Sequence, residues 1–120
     1  MENQPFQRMD EERYELLRKF VQALSDRDSN TLREVFDLTP VMISEIYELL
    51  PIYLMEGATL SICSRTESAT AEEWPLLTTY DCGDGDIAVD CYILEDGMPS
   101  EAILHVCFVK GELIYGFINS

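Results

Sequence analysis

Basic side chains are scarce in this sequence: eight Lys and Arg stand against 23 Asp and Glu in 120 residues, a net charge of −15. A surface so poor in cations repels phosphates, which excludes nucleic acid and anionic membrane and points to basic proteins or cations as partners. Histidine is nearly absent, with His105 alone, so no nucleophile motif built on a Ser/His/Asp order or an activated Cys/His pair can be composed. No stretch approaches the roughly 18 consecutive apolar residues that a membrane span needs. The opening Met1-Glu-Asn-Gln-Pro-Phe6 has neither the basic nor the apolar region of a secretory signal, so a cytoplasmic protein is expected.

Cysteine is present but unclustered. Cys63, Cys82, Cys91 and Cys107 are 19, 9 and 16 residues apart. That spacing offers no CxxC and no ligand set close enough to preorganise around zinc, so no metal and no cofactor are expected. Each lies in an apolar strand pattern, where a free thiol behaves as a small hydrophobe, and four buried, reduced thiols are the expectation.

What is abundant is apolar residues, 47% of the chain. That content suits one folded domain over residues 1–120, with 1–9 as a loose lead-in. Asp10 predicts an N-cap, with Glu11 and Glu12 in the favoured first turn. Tyr14, Leu17, Phe20, Val21 and Leu24 then recur at helical spacing. Ser29 is read as the cap of a second short helix with Leu32, Val35 and Phe36 on its apolar face. Thr39-Pro40 restarts a third, with Ile43, Ile46, Tyr47 and Leu50 facing inward and Pro51 ending or kinking it. From Ala58 the period changes to two, predicting strands over 58–64, 74–82, 86–95, 101–109 and 112–118. Short Gly-containing links between most of them imply antiparallel hairpins. The fold class is therefore α+β: three N-terminal helices packed on a curved four- to five-stranded antiparallel meander.

A two-residue loop at Lys110-Gly111 sets the register of the last hairpin. It places Leu104, Val106 and Phe108 opposite Phe117, Tyr115 and Leu113 on the face turned to the helices. Ile103, His105, Cys107 and Val109 then lie opposite Ile118, Gly116, Ile114 and Glu112 on the second face. That face is too apolar for a solvated one. A rolled sheet and helix, a second copy forming a homodimer, or a partner protein would cover it.

Three groups of residues are candidates for function. Glu67, Glu72 and Glu73 beside Trp74, with Asp84, Asp86 and Asp96 at the hairpin tips, would offer a basic partner carboxylates around an aromatic anchor. His105, the one side chain with an unperturbed titration near neutrality, would serve a pocket with Asp90. The run Asp81-Cys-Gly-Asp84-Gly-Asp86 suggests calcium only superficially, because its acids lack EF-hand spacing and are explained by a turn.

The segment Leu17-Arg-Lys-Phe-Val-Gln-Ala-Leu-Ser-Asp-Arg-Asp-Ser-Asn-Thr-Leu-Arg-Glu-Val-Phe36, with the hairpin of Leu104–Val109 and Leu113–Ile118, resembles the nuclear-transport-factor-2-like (SnoaL-like) superfamily. The resemblance implies a cone-like fold, a curved sheet wrapped around helices, often with an internal cavity. Enzymatic members set titratable residues inside the cone, where this chain offers only His105 and Asp90. Together with the charge, that looks more like an immunity-type protein. The expected function is a non-catalytic acidic protein that neutralises a basic, nuclease-like toxin. The alternative is a small-molecule binder, or an isomerase- or dehydratase-like enzyme, using the cone interior around His105.

Overall fold

A computed structural model describes residues 9–64 and 76–120. Three helices precede five antiparallel strands: α1 (Glu11–Asp26), α2 (Ser29–Glu34), α3 (Pro40–Tyr53), β1 (Leu60–Ser61), β2 (Leu77–Gly83), β3 (Asp86–Glu95), β4 (Met98–Val109) and β5 (Glu112–Asn119).

Asp10 caps α1 by accepting from the Arg13 N–H at 2.8 Å. Leu17, Phe20, Val21 and Leu24 are all fully buried, as the periodicity predicts. The helix stops at Arg27, which adopts a left-handed φ of 53°. The Asp28 N–H then bonds back to the Ala23 carbonyl at 2.9 Å. A non-glycine residue in this conformation is strained, and Arg27 is held there with its guanidinium 4.7 Å from the centre of the Tyr47 ring.

Asp28, not Ser29, caps α2, accepting from the Thr31 N–H at 3.1 Å and the Thr31 hydroxyl at 2.7 Å. Those two donors stabilise the carboxylate, the hydroxyl most, and lower the pKa of Asp28. Ser29 becomes the first helical residue, its Oγ 3.1 Å from the Tyr47 hydroxyl. Because α2 ends at Glu34, Val35 leaves the apolar stripe and is exposed, while Leu32 and Phe36 stay buried. Thr39 and Pro40 open α3 as expected. The helix carries Pro51 within its last turn and runs on to Tyr53.

The sheet is a β2-β3-β4-β5 meander, with the short β1 pairing against the far end of β3 on the same edge as β2. Its three hairpins turn through residue pairs of the same kind, Asp84-Gly85, Asp96-Gly97 and Lys110-Gly111, each with two positive φ values. This is the type I′ turn whose twist matches that of paired strands. The second of these loops is shorter than the sequence suggests, because Met98, Pro99 and Ser100 already belong to β4. Pro99 is tolerated where β4 has β3 on one side and has run past β5 on the other.

The helices cover one face of this open sheet. Phe20 sits at the junction, edge-on to Phe36 of the α2 end at 5.1 Å and stacked on Tyr115 of β5 at 5.8 Å. The same buried core includes Leu17, Val21, Ile46, Val89, Leu104, Phe108 and Ile118. Apart from thiols, Thr79 is the only polar side chain buried among the described residues. Among the described residues, no carboxylate, histidine or lysine is buried with it.

Candidate functional site: the outer sheet face

Alternation fixes which side chains point away from the helices. Ile87 and Val89 of β3 and Leu104, Val106 and Phe108 of β4 are buried, so their neighbours Asp86, Ala88, Asp90, Tyr92, Ile103, His105, Cys107 and Val109 face outward. Asp90 pairs with His105 and with Thr78 in the ladder. One residue pair along, Ala88 lies between Tyr80 and Cys107.

Beyond β4 the register depends on a single irregularity. From Val109 opposite Glu112 to Val106 opposite Tyr115, pairing follows the two-residue loop. It then slips by one, placing His105 opposite Phe117 and Leu104 opposite Ile118. Gly116 is the extra residue of this β-bulge. A Cβ there would stand 2.7 Å from the His105 carbonyl oxygen, so only glycine lets the backbones approach this closely. The expectation that Phe117 faces the helices and Ile118 the second face is thus reversed. Ile118 is buried and Phe117 is 51% exposed.

The bulge assembles a polar chain across four strands. The His105 Nδ1 lies 2.7 Å from Asp90 Oδ1 and its Nε2 lies 2.8 Å from Asn119 Oδ1. The Tyr80 hydroxyl donates to Asp90 Oδ2 at 3.2 Å, and the nearby carboxylate raises the pKa of that hydroxyl. Phe117 stacks on the imidazole with ring centres 4.2 Å apart and planes 19° from parallel. With Asn119 Oδ1 turned toward it, Nε2 must donate, as must Nδ1, which is the pattern of a doubly protonated ring. A half-turn of the carboxamide presents its NH2 instead and suits the neutral ring. In either state both nitrogens are occupied by protein groups.

The clefts lie elsewhere. An open groove of about 1110 Å³ follows α1 past Glu12, Leu16 and Lys19. A second cleft, of about 450 Å³, sits between the ends of α1 and α3 and includes Arg27 and Tyr47. Two smaller ones flank α3 and the β4–β5 turn. None of these four is lined by His105 or Asp90.

Of the acids expected at the partner surface, the three that lie among the described residues, Asp84, Asp86 and Asp96, are divided between two ends of the sheet. Glu67, Glu72, Glu73 and Trp74 lie outside the described residues. Asp84 and Asp86 stand at one end of β3 and Asp96 at the other, about 30 Å apart at the rise of an extended strand. Asp86 accepts from the Lys110 N–H at 3.0 Å, and Asp96 accepts from the Thr59 N–H at 2.9 Å. The Gly85 carbonyl accepts from the Arg13 guanidinium, which fastens the first tip to α1. Asp86 thus braces the β4–β5 turn, and Asp96 ties its hairpin tip to the segment before β1. By contrast, no motif in the sequence marks Tyr80, Phe117 or Asn119 as neighbours of Asp90 and His105. The available signal was a glycine inside an otherwise regular strand, which marks a bulge.

The four thiols divide into two pairs. Cys63 and Cys91 are buried, whereas Cys82 and Cys107 are exposed, and none of the four forms a disulfide. This corrects the expectation of four buried thiols: Cys107 lies on the outward face of β4, and Cys82 is the unpaired residue of a bulge in β2. Burial, reinforced by Cys63, pushes the Cys91 thiol well above its ordinary pKa. Thiol titration of the native protein should therefore consume two equivalents quickly, with the other two appearing only on unfolding. Four fast equivalents would mean that the Cys63–Cys91 region opens readily.

No family model, no curated protein and no solved structure matches this chain.

Proposed function

We propose that this protein is a non-catalytic acidic binding protein of the immunity type, akin to the nuclear-transport-factor-2-like superfamily, which neutralises a basic, nuclease-like toxin in the cytoplasm. The observation that carries this reading is the charge of the sheet. Residues 77–119 include eight carboxylates, Asp81, Asp84, Asp86, Asp90, Glu95, Asp96, Glu101 and Glu112, and one basic side chain, Lys110. None of the eight is buried, so their field reaches solvent. A nuclease must be basic where it holds phosphate, and an acidic surface would be steered into that groove. Four cysteines without a disulfide accord with a reducing compartment, and no described helix is long and apolar enough to cross a membrane. The alternative, a small-molecule enzyme working from the interior, has less support because His105 stands on the outer face with both nitrogens engaged.

The test is capture from the native source by the tagged protein at low and then raised salt, with retained proteins identified and the association rate measured for each. A stoichiometric basic protein is expected, its association rate falling about tenfold or more as ionic strength screens the attraction. A retained partner that is acidic, or whose association ignores salt, would refute the reading.

A further inference from the structure

We propose that the outer face of the sheet is the surface on which the basic partner docks, with Tyr80, Ile114 and Phe117 as its apolar centre. This rests on the reading of the protein as an acidic binder and names the surface that such a binder would use. Tyr80, Ile114 and Phe117 are each about half exposed, at 48%, 48% and 51%. The register makes them one patch. Tyr80, Ala88, Cys107 and Ile114 form one row across the strands, and Thr78, Asp90, His105 and Phe117 form the next. Adjacent rows on one face are about 7 Å apart. Exposed aromatic side chains of this kind dominate the energetics of interfaces. Phe117 is also preorganised, since it rests on an imidazole fixed by Asp90 and Asn119, so little freedom is lost when a partner covers it.

The charges around the patch select the occupant. Asp90, Glu101 and Glu112 occupy outward positions of β3, β4 and β5, and no Lys or Arg occupies an outward position of the described strands. A second copy seated on this face would bring two such sets of carboxylates together, with only His105 from each side to offset them. A partner carrying Arg or Lys beside apolar side chains would satisfy both the carboxylates and the aromatic centre. The hairpin tips fit such a partner less well, because Asp86 and Asp96 already hold backbone amides and Arg13 and Lys110 lie beside the first tip.

Two synthetic peptides of equal charge, alternating Arg-Leu and alternating Arg-Gly, provide defined probes for the full chain. Binding is followed by calorimetry and by amide resonance shifts. The Arg-Leu peptide is expected to bind at least tenfold more tightly and to shift Tyr80, Asp90 and His105, on strands that pairing at the β5 edge would leave undisturbed. Phe117→Ser should abolish the preference, and Ile114→Ser should reduce it if Phe117→Ser does not fold. Met55→Ser, at an equally apolar site that is 75% exposed and outside the sheet, should leave it intact. Equal affinity of the two peptides, or shifts confined to the turns or to β5, would overturn the docking face while leaving a charge-driven binder standing. A concentration-dependent dimer dissociated by Phe117→Ser would overturn it in favour of a second copy. Failure of both peptides to bind at low salt would overturn the docking face and the acidic-binder reading together.

Discussion

Phe20→Ala is expected to lower the unfolding free energy by about 3–5 kcal/mol, the range for removing a fully buried aromatic ring. Phe20 has no solvent exposure and joins α1 to the α2 end through Phe36 and to β5 through Tyr115. No one neighbour can collapse into the space, because the two ring contacts come from separate elements. A domain of this size holds roughly 5–15 kcal/mol in total, so the variant should be close to its folding threshold at physiological temperature. Urea denaturation followed by circular dichroism measures this directly, with a lower midpoint and an unchanged slope expected. Ile52→Ser is the matched comparison: Ile52 is 69% exposed and should stay within about 0.5 kcal/mol of the parent. A loss below about 1.5 kcal/mol for Phe20→Ala would mean that the helices are not clamped to the sheet at this point.

Gly116→Val should have the second largest effect, about 1–3 kcal/mol of destabilisation from forcing side-chain atoms against backbone. Its structural consequence matters more than its size. The Cβ position lies 2.7 Å from the His105 carbonyl oxygen, a backbone atom that can yield only if β4 and β5 separate. The strain would be relieved by removing the bulge, which restores simple alternation after Tyr115. Phe117 would then turn toward the helices and Ile118 outward, each to the wrong environment. The checks are loss of cross-strand contacts between the Phe117 and His105 rings in solution and loss of the Arg-Leu peptide preference. Gly116→Ala should show the same direction with a smaller change. Should Gly116→Val keep both the parent stability and the ring contact, the bulge would not depend on glycine, and the account of how Phe117 reaches the surface would fail.

The two substitutions mark the division between what was legible along the chain and what was not. The buried residues of α1 were legible because a helix with one wet face imposes its 3.6-residue period on the order of side chains. The hairpin turns were legible because positive φ at two successive residues narrows the choice to a few types, and Asp-Gly is prominent among them. The choice between Ser29 and Asp28 as the cap of α2 was less so. Both side chains can accept the same amide, and the decision fell to Asp28, whose second oxygen also accepts from the Thr31 hydroxyl.

The candidate site was legible only in part, and the reason is geometric. Asp90 and His105 were recognised as chemistry-bearing residues, and the β3–β4 register places them in direct opposition. Phe117 and Asn119 were not associated with them, because regular alternation from the Lys110-Gly111 loop sets Gly116 opposite His105. One additional residue in one strand alters the facing of everything after it. The hairpin carboxylates have a second use that composition does not show: Asp86 accepts from the Lys110 amide and Asp96 from the Thr59 amide.

The sequence by itself determined the class of this fold, the positions of its helices and turns, and the surplus of negative charge, because each is written in local spacing or in composition. Only the tertiary structure decided where the acids stand relative to one another, which thiols are shielded, and that an aromatic ring stacks on the lone histidine at the surface. Those outcomes depend on the approach of strands distant in the chain. At Gly116, the close contact with the His105 carbonyl set the register on which the whole outer face depends.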